Sequence, residues 1–408
     1  MHFTFAWRYF KAKKSANAIN IISWVTTGVI AFSTMCQVLV LSVFNGFEDL
    51  VRSLYSSFYS DLKVVPFSGK TFNLTPEQIL SIRKSTGIKN LSLIAEEKAL
   101  IQNVDLHLQT VVLLKGVDDH YDQVSGVPKK MQNGTFNTGT IDNPLLILGS
   151  GIENAIGIKA DRNLDQLTVF LPRRTDYETS DPLTSLSEGN ANTSGSFAIQ
   201  QDFDDKYAIT NLAFIKQQMN FKPDEYNAAE IAIMDSARLN PEKEVLQHLL
   251  GPSFTVQTKF EQNITLYNSM RLEKWVIFAI MTLILIIAAF TMISALTMLV
   301  LEKRKDINVL QSMGASTTMI KKIFLSEGFI LAAFGIVIGF SLAILICFLQ
   351  DKYRLIKLQG NSFLIDYFPV KLILSDFLLV ASTALIIAII GSWFPAHKAS
   401  IQTFELRN

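Results

Sequence analysis

The sequence predicts a membrane protein: four transmembrane α-helices with a large α+β domain inserted between helices 1 and 2. Three observations carry that class. The 408 residues are 49% hydrophobic and 18% charged, with mean hydropathy +0.28. That is too apolar for an ordinary soluble chain and too polar for one wholly in the bilayer. Four runs (about Ala18–Phe44, Trp275–Leu301, Ile323–Leu349 and Leu372–Phe394) reach the roughly 20 apolar residues that a bilayer crossing needs. Between the first and second lies a long segment of ordinary globular composition.

The first run comes after Arg8, Lys11, Lys13 and Lys14. It is too long for a signal-peptide core, and no small-x-small cleavage site comes after it, so it reads as a signal anchor. Ser23, Thr26, Thr27, Ser33, Thr34 and Gln37 recur along it at steps of three and four. Such a stripe either packs closely on another helix or lines a cavity. Gly335 and Gly339 give the third run a small-xxx-small face. Glu327 is the one carboxylate of that run and lies near Lys321 and Lys322. No other ionisable residue falls deep in a run, which argues against an ion-coupled transporter.

Positive charge sets the expected orientation. It gathers before the first run, at Lys303, Arg304, Lys305, Lys321 and Lys322, and at His397, Lys398 and Arg407. Both termini are therefore expected in the cytoplasm and the inserted domain outside. Lys352, Arg354, Lys357 and Lys371 stand against this rule on the loop between the third and fourth runs.

Within the inserted domain, Asp61–Phe67, Leu91–Asn103, Leu106–Lys115, Leu145–Leu148, Leu167–Leu171, Ala228–Met234 and Phe254–Lys259 read as strands. Thr75-Pro76-Glu77 starts a helix running to about Lys84, with Thr75 as N-cap. Gly149–Ile156 and Asn240–Leu250 complete the helices, and the chain suggests two lobes. Pro172–Phe197 is polar, rich in Ser, Thr, Asn and Gly, and reads as a long loop.

The second run breaks into Glu302-Lys303-Arg304-Lys305-Asp306, then INVLQSMGAS. A span feeding a short charged amphipathic helix suggests a docking element for a soluble partner. The chain has no phosphate-binding GxxxxGK[ST] loop. It has no GxSxG elbow and no HExxH, and its five histidines are isolated. No catalytic constellation and no metal site is expected, and the near-neutral net charge of +1 gives no reason to expect nucleic acid. Cys36 and Cys347 lie in apolar runs and read as packing residues.

Several motifs in chain order resemble one family. Phe5-Ala6-Trp7-Arg8-Tyr9-Phe10 opens the chain, and Leu41-Ser42-Val43-Phe44-Asn45-Gly46-Phe47-Glu48 resembles an LSVxNGFE signature. Next along the chain come Leu148-Gly149-Ser150-Gly151, Glu273-Lys274-Trp275, Val300–Ile307 and Met313-Gly314-Ala315-Ser316. Leu355-Ile356-Lys357-Leu358 and Tyr367-Phe368-Pro369-Val370 precede the fourth run, and Phe394-Pro395-Ala396-His397-Lys398-Ala399 closes the chain. The whole is similar to the lipoprotein-releasing permeases LolC and LolE, within the MacB/FtsX-type permease group.

The resemblance implies a non-catalytic subunit of an inner-membrane ABC transporter. Such a subunit would extract acylated lipoproteins from membrane lipid and hand them to a periplasmic carrier. It implies two copies of a separate ATPase, which binds ATP and Mg, and a second permease subunit, identical or related; no cofactor is expected in this chain. The implied layout is a cytoplasmic segment 1–17, spans 18–45, 269–301, 319–350 and 372–395, and a periplasmic domain 46–268. A coupling helix 302–318, a periplasmic loop 351–371 and a cytoplasmic tail 396–408 complete it. Glu302, Lys303, Arg304, Asp306, Met313, Gly314 and Ala315 would meet the ATPase. The segment 172–197, with Pro172, Arg173 and Arg174, falls where a carrier-binding hook is expected. Met35, Leu39, Phe44, Phe290 and Met298 are candidate lining residues of a lipid cavity between the first two spans. A MacB-like efflux or mechanotransmission permease, or an FtsX-like regulator of cell-wall hydrolases, is the alternative.

Overall fold

The structure is a computed structural model that describes residues 17–85, 87–161, 166–173, 186–235, 238–358 and 367–401. The chain divides into two compact units, with breaks after Leu50 and after Tyr267.

The helical unit draws on α1 (Asn17–Phe58), α7 (Ile264–Glu302), α8 (Arg304–Ser312), α9 (Thr317–Tyr353) and α10 (Leu374–Ser400). All but α8 are long and apolar enough to cross a membrane. The helix α1 continues well past Phe44, where the apolar run was expected to end. Asn45 and Gly46 look like a break in sequence, yet Asn45 is buried and bonded, and Gly46 makes room for neighbouring backbone. The hydroxyls of the α1 stripe turn back on their own helix: Thr26 donates to the Ile22 carbonyl, Thr27 to that of Ser23 and Thr34 to that of Ile30, each at 2.9 Å. The stripe packs on α9. A Cβ on Gly335 would press on Ile30, and one on Gly339 would collide with Thr34 and the Ala31 carbonyl. Of the two readings of the stripe, packing is the one these contacts support.

The second unit is built on one ten-stranded sheet. Its strands are β1 (Leu62–Pro66), β3 (Ile88–Asn103), β4 (Leu108–Val117), β5 (Met131–Gly134), β6 (Leu145–Gly149), β7 (Leu167–Pro172), β8 (Leu186–Phe197), β9 (Tyr207–Asn211), β11 (Ala228–Ile233) and β12 (Phe254–Thr258). The short strands β2 (Phe72–Asn73) and β10 (Glu225–Tyr226) pair separately. Helices α2 (Pro76–Lys84), α3 (Ser150–Ala155), α4 (Gln201–Asp204), α5 (Leu212–Met219) and α6 (Leu239–Leu250) complete the unit. The order β12-β1-β11-β3-β4-β9-β6-β8-β5 runs across two cores. One gathers around Leu62, Ile82, Leu91, Ile231 and Leu246; the other gathers around Ile101, Leu114, Leu148, Val169 and Ile215. Helix α2 starts on a capping box: Gln78 N–H donates to Thr75 Oγ1, and Thr75 N–H to Gln78 Oε1.

The reading of 172–197 as a loop is corrected in part. Leu186–Phe197 is a twelve-residue strand, antiparallel to β7 and β5 and parallel to β6. Its buried positions are Ser187, Ala191, Thr193, Gly195, Ser196 and Phe197. Small residues suit a strand flanked closely on both sides, and Gly195 leaves no room for a Cβ against Asn133. The composition resembles a loop because tertiary packing, not β-propensity, holds this strand.

Candidate functional site

The segment expected to couple to an ATPase begins where α7 ends at Glu302. Lys303 bridges the two helices: its N–H donates to the Leu299 carbonyl, and its carbonyl accepts from Ile307 N–H, both at 2.9 Å. Its Nζ stands 3.2 Å from Asp306 Oδ2. Ile307 is 2% exposed and packs with Leu299, Val300, Ile320, Phe324, Ala396 and Ala399. One apolar side chain thus pins α8 to the bundle. The opposite face stays open: Glu302, Arg304, Lys305 and Ser312 are exposed, and so are Val309 (58%) and Met313 (79%).

The helix closes on a Schellman turn. Gly314 N–H donates to the Gln311 carbonyl and Ala315 N–H to that of Leu310, each at 2.9 Å. Gly314 has φ +88° with nothing near an added Cβ, so its backbone conformation, not space, favours glycine. Ser316 then caps α9 by accepting from Met319 N–H at 3.3 Å. All seven residues proposed for coupling therefore lie on one short ledge.

At the other end of the same helices lies a polar cluster that sequence reading passed over. Asn45 of α1 donates to Asp376 Oδ2 of α10 at 2.6 Å, and Lys274 of α7 donates to Asn45 Oδ1 at 2.7 Å. Lys274 also pairs with Asp376 at 3.3 Å. A Cβ on Gly46 would collide with Pro369 backbone, and Lys371 pairs with Asp49 at 2.6 Å. Each of the three clustered residues lies near the end of an apolar run, but nothing local in the sequence says that they meet.

The five candidate cavity residues do not come together. Met35 and Leu39 pack on a cluster of Val38, Leu41, Ala343 and Val380. Phe44 is half-buried. Phe290 lines an open apolar cavity of about 310 Å³ with Ile286, Ala289, Ile293, Ile387 and Ile390. Met298 is exposed. In the second unit, Pro172 ends β7 opposite Leu186, and Arg173 is exposed. Both line a cleft of about 220 Å³ with Lys70, Glu97, Met219 and Phe221. Arg174 lies outside the described residues.

A second unforeseen feature is a buried ion pair. Lys115 Nζ stands 2.6 Å from Glu230 Oε1, and both side chains are almost fully buried. Burial alone pulls the lysine pKa down, but the Glu230 carboxylate outweighs it and holds the ammonium well above its usual range. The rings of Phe58 and Tyr121 lie 5.1 and 4.9 Å from Nζ.

Comparison with known proteins finds a match to part of the helical unit. Residues 278–404 match the family described as FtsX-like permease C-terminal. That stretch contains α8, α9, α10 and most of α7.

The relatives are more particular. The chain is 27% identical to the lipoprotein-releasing system transmembrane protein LolE of Haemophilus influenzae, over 98% of this chain and 96% of that protein. It is 25% identical to LolC of Neisseria meningitidis, over 96% and 95%. The resemblance to LolC and LolE that the motifs suggested holds over nearly the full length. Among solved structures, the periplasmic region of MacB from Actinobacillus actinomycetemcomitans aligns at TM-score 0.36 and 10% identity, covering 54% of this chain and 98% of that one. A likeness at that level decides nothing about function.

Proposed function

We propose that this chain is a permease subunit of an ABC transporter that extracts acylated lipoproteins from the inner membrane for delivery to a periplasmic carrier. The observation that carries the reading is the end-to-end similarity to LolC and LolE. The ledge at Glu302–Ala315 gives it a mechanism. A separate ATPase, present twice and holding ATP and Mg, would seat Val309 and Met313 in a groove, with Glu302, Arg304 and Lys305 around them. Movement of the ATPase would then act on α8. Because Ile307 fixes α8 to the bundle, the push would pass into α7 and α9. The helix α7 runs unbroken from Ile264 to Glu302 and is the proposed shaft.

Withdrawing an acyl chain costs about 0.8 kcal/mol per CH₂, so three chains cost on the order of 30 kcal/mol. Extraction therefore needs both an energy source and apolar shelter. The open cavity beside Phe290 is one such shelter, at the face of α7 and α10. Orientation with both termini cytoplasmic, a second permease subunit and a carrier-binding role for Pro172, Arg173 and Arg174 are parts of the same proposal. Site-specific crosslinking from Arg173 in intact membranes tests it. Capture of a soluble lipoprotein carrier supports the reading. Capture of a cell-wall hydrolase, with lipoprotein sorting normal after depletion of the chain, overturns it in favour of an FtsX-like regulator.

A further inference from the structure

The loop that leaves α9 breaks the charge rule, and its two described arms are tied to each other. The helix ends at Lys352-Tyr353, and Arg354 caps it in the left-handed region at φ +50°. Gln350, itself buried, clamps the two arms of the loop together. Its Nε2 donates to the carbonyls of Ile356 (3.0 Å) and Phe368 (3.1 Å), and its Oε1 accepts from Ile356 N–H at 2.9 Å. Phe368 N–H adds a bond to the Ile356 carbonyl, and Lys357 bridges to Tyr367. The Arg354 guanidinium stacks 4.3 Å from the Tyr367 ring.

This frame presents two chemistries on one surface. Tyr353, Leu355 and Ile356 are 60%, 66% and 59% exposed. Lys352, Arg354 and Lys357 stand among them, exposed, and make no ion pair among the described residues. Lys371, by contrast, is paired with Asp49. In sequence, 351–371 carries two acids, Asp351 and Asp366, against the four cations Lys352, Arg354, Lys357 and Lys371. Large apolar side chains held open beside exposed cations fit neither water nor hydrocarbon. They fit the boundary between the two, where the apolar helices α9 and α10 end.

We propose that Lys352, Arg354 and Lys357, with Tyr353, Leu355 and Ile356, form a docking surface for the headgroups of anionic phospholipids. The apolar residues enter the acyl boundary, and the cations take the phosphate charge. This rests on α9 and α10 crossing the bilayer, and it explains why a loop on the side expected to be poor in lysine and arginine carries three exposed ones. A membrane surface, not a protein, is the favoured partner because apolar and basic residues alternate at the mouth of two spans.

The test uses the full chain in detergent, titrated with phosphatidylglycerol or phosphatidylcholine of matched acyl chains, with bound lipid counted by native mass spectrometry. Arg354→Asn with Lys357→Gln keeps a residue that tolerates the left-handed cap. It should weaken phosphatidylglycerol binding about 30-fold, at roughly fivefold per cation, and leave phosphatidylcholine unchanged. High salt should weaken the wild-type chain in the same way. Lys352→Gln with Lys357→Gln, which leaves the cap untouched, should give a similar loss if the first variant proves unstable. Equal retention of the two lipids by the wild type, or unaltered phosphatidylglycerol binding in both variants, overturns the proposal. So does displacement of the lipid by millimolar inorganic phosphate, which would mark a site for free anions. None of these readouts requires ATP or lipoprotein, so they stand apart from the transport reading.

Discussion

Gly314→Ala isolates the conformational demand of the turn proposed to couple the chain to its ATPase. The residue sits at φ +88°, and no atom lies within 4 Å of an added Cβ. Sterics with neighbours therefore contribute nothing, and the whole penalty is that of a left-handed L-residue, about 1–2 kcal/mol. Loss of the turn would release two hydrogen bonds, those from Gly314 and Ala315, and with them the angle between α8 and α9. A penalty of about 1.4 kcal/mol lowers the population of the closed turn tenfold relative to open forms. Asparagine tolerates the left-handed region better than alanine, so Gly314→Asn should lie between wild type and Gly314→Ala. The assay is lipoprotein release per ATP hydrolysed in nanodiscs holding the chain with its ATPase and second permease. The expected order is glycine, asparagine, alanine, with assembly retained in all three. Equal coupling in Gly314→Ala and the wild type would refute the turn's role.

Proline at Ala288 should break α7, at a cost of about 3 kcal/mol, and leave ATP hydrolysis running while release stops; unchanged release would show that α7 is no shaft. Lys115→Met should lower the stability of the purified chain by about 3–5 kcal/mol, because Glu230 is left buried and unpaired. Lys115→Met with Glu230→Met should recover most of that loss, and melting curves that show no recovery would contradict it. Burial raises the Asp204 pKa from 3.8 to about 6, against the opposing hydrogen bonds from Ile199 and Gln200 backbone. The folded state then binds more protons than the unfolded state between roughly pH 4 and 6, so stability falls as pH rises through that window. Asp204→Asn should flatten this part of the profile, and a profile matching the wild type would show that the group does not govern it.

The local signals in the sequence were readable where one element decides its own form. Thr75, Pro76 and Glu77 announce the start of α2, and the break from Leu301 into Glu302-Lys303-Arg304 announces the ledge. The turn at Met313-Gly314-Ala315 was not read: 302–318 is expected as one helix, whereas α8 ends at Ser312 and Gly314 takes φ +88°. Features that could not be read depend on partners far along the chain. Asn45 meets Lys274 and Asp376 across 229 and 331 positions. Lys115 meets Glu230 across 115. The strand Leu186–Phe197 has a loop-like composition and is a strand only because β5, β6 and β7 flank it. The same limit explains the lipid-cavity candidates. Met, Leu and Phe are chosen by size alone, while the side that each one faces is set by helix packing.

The most direct measurement is ATP-driven release of a triacylated lipoprotein from proteoliposomes that contain this chain, its ATPase and a second permease subunit. ATP is expected to move the lipoprotein onto a soluble carrier, and replacing Val309 and Met313 with aspartate should abolish this by detaching the ATPase. Vigorous ATP hydrolysis by an intact complex, with the lipoprotein remaining in the membrane, would contradict a role in lipoprotein release.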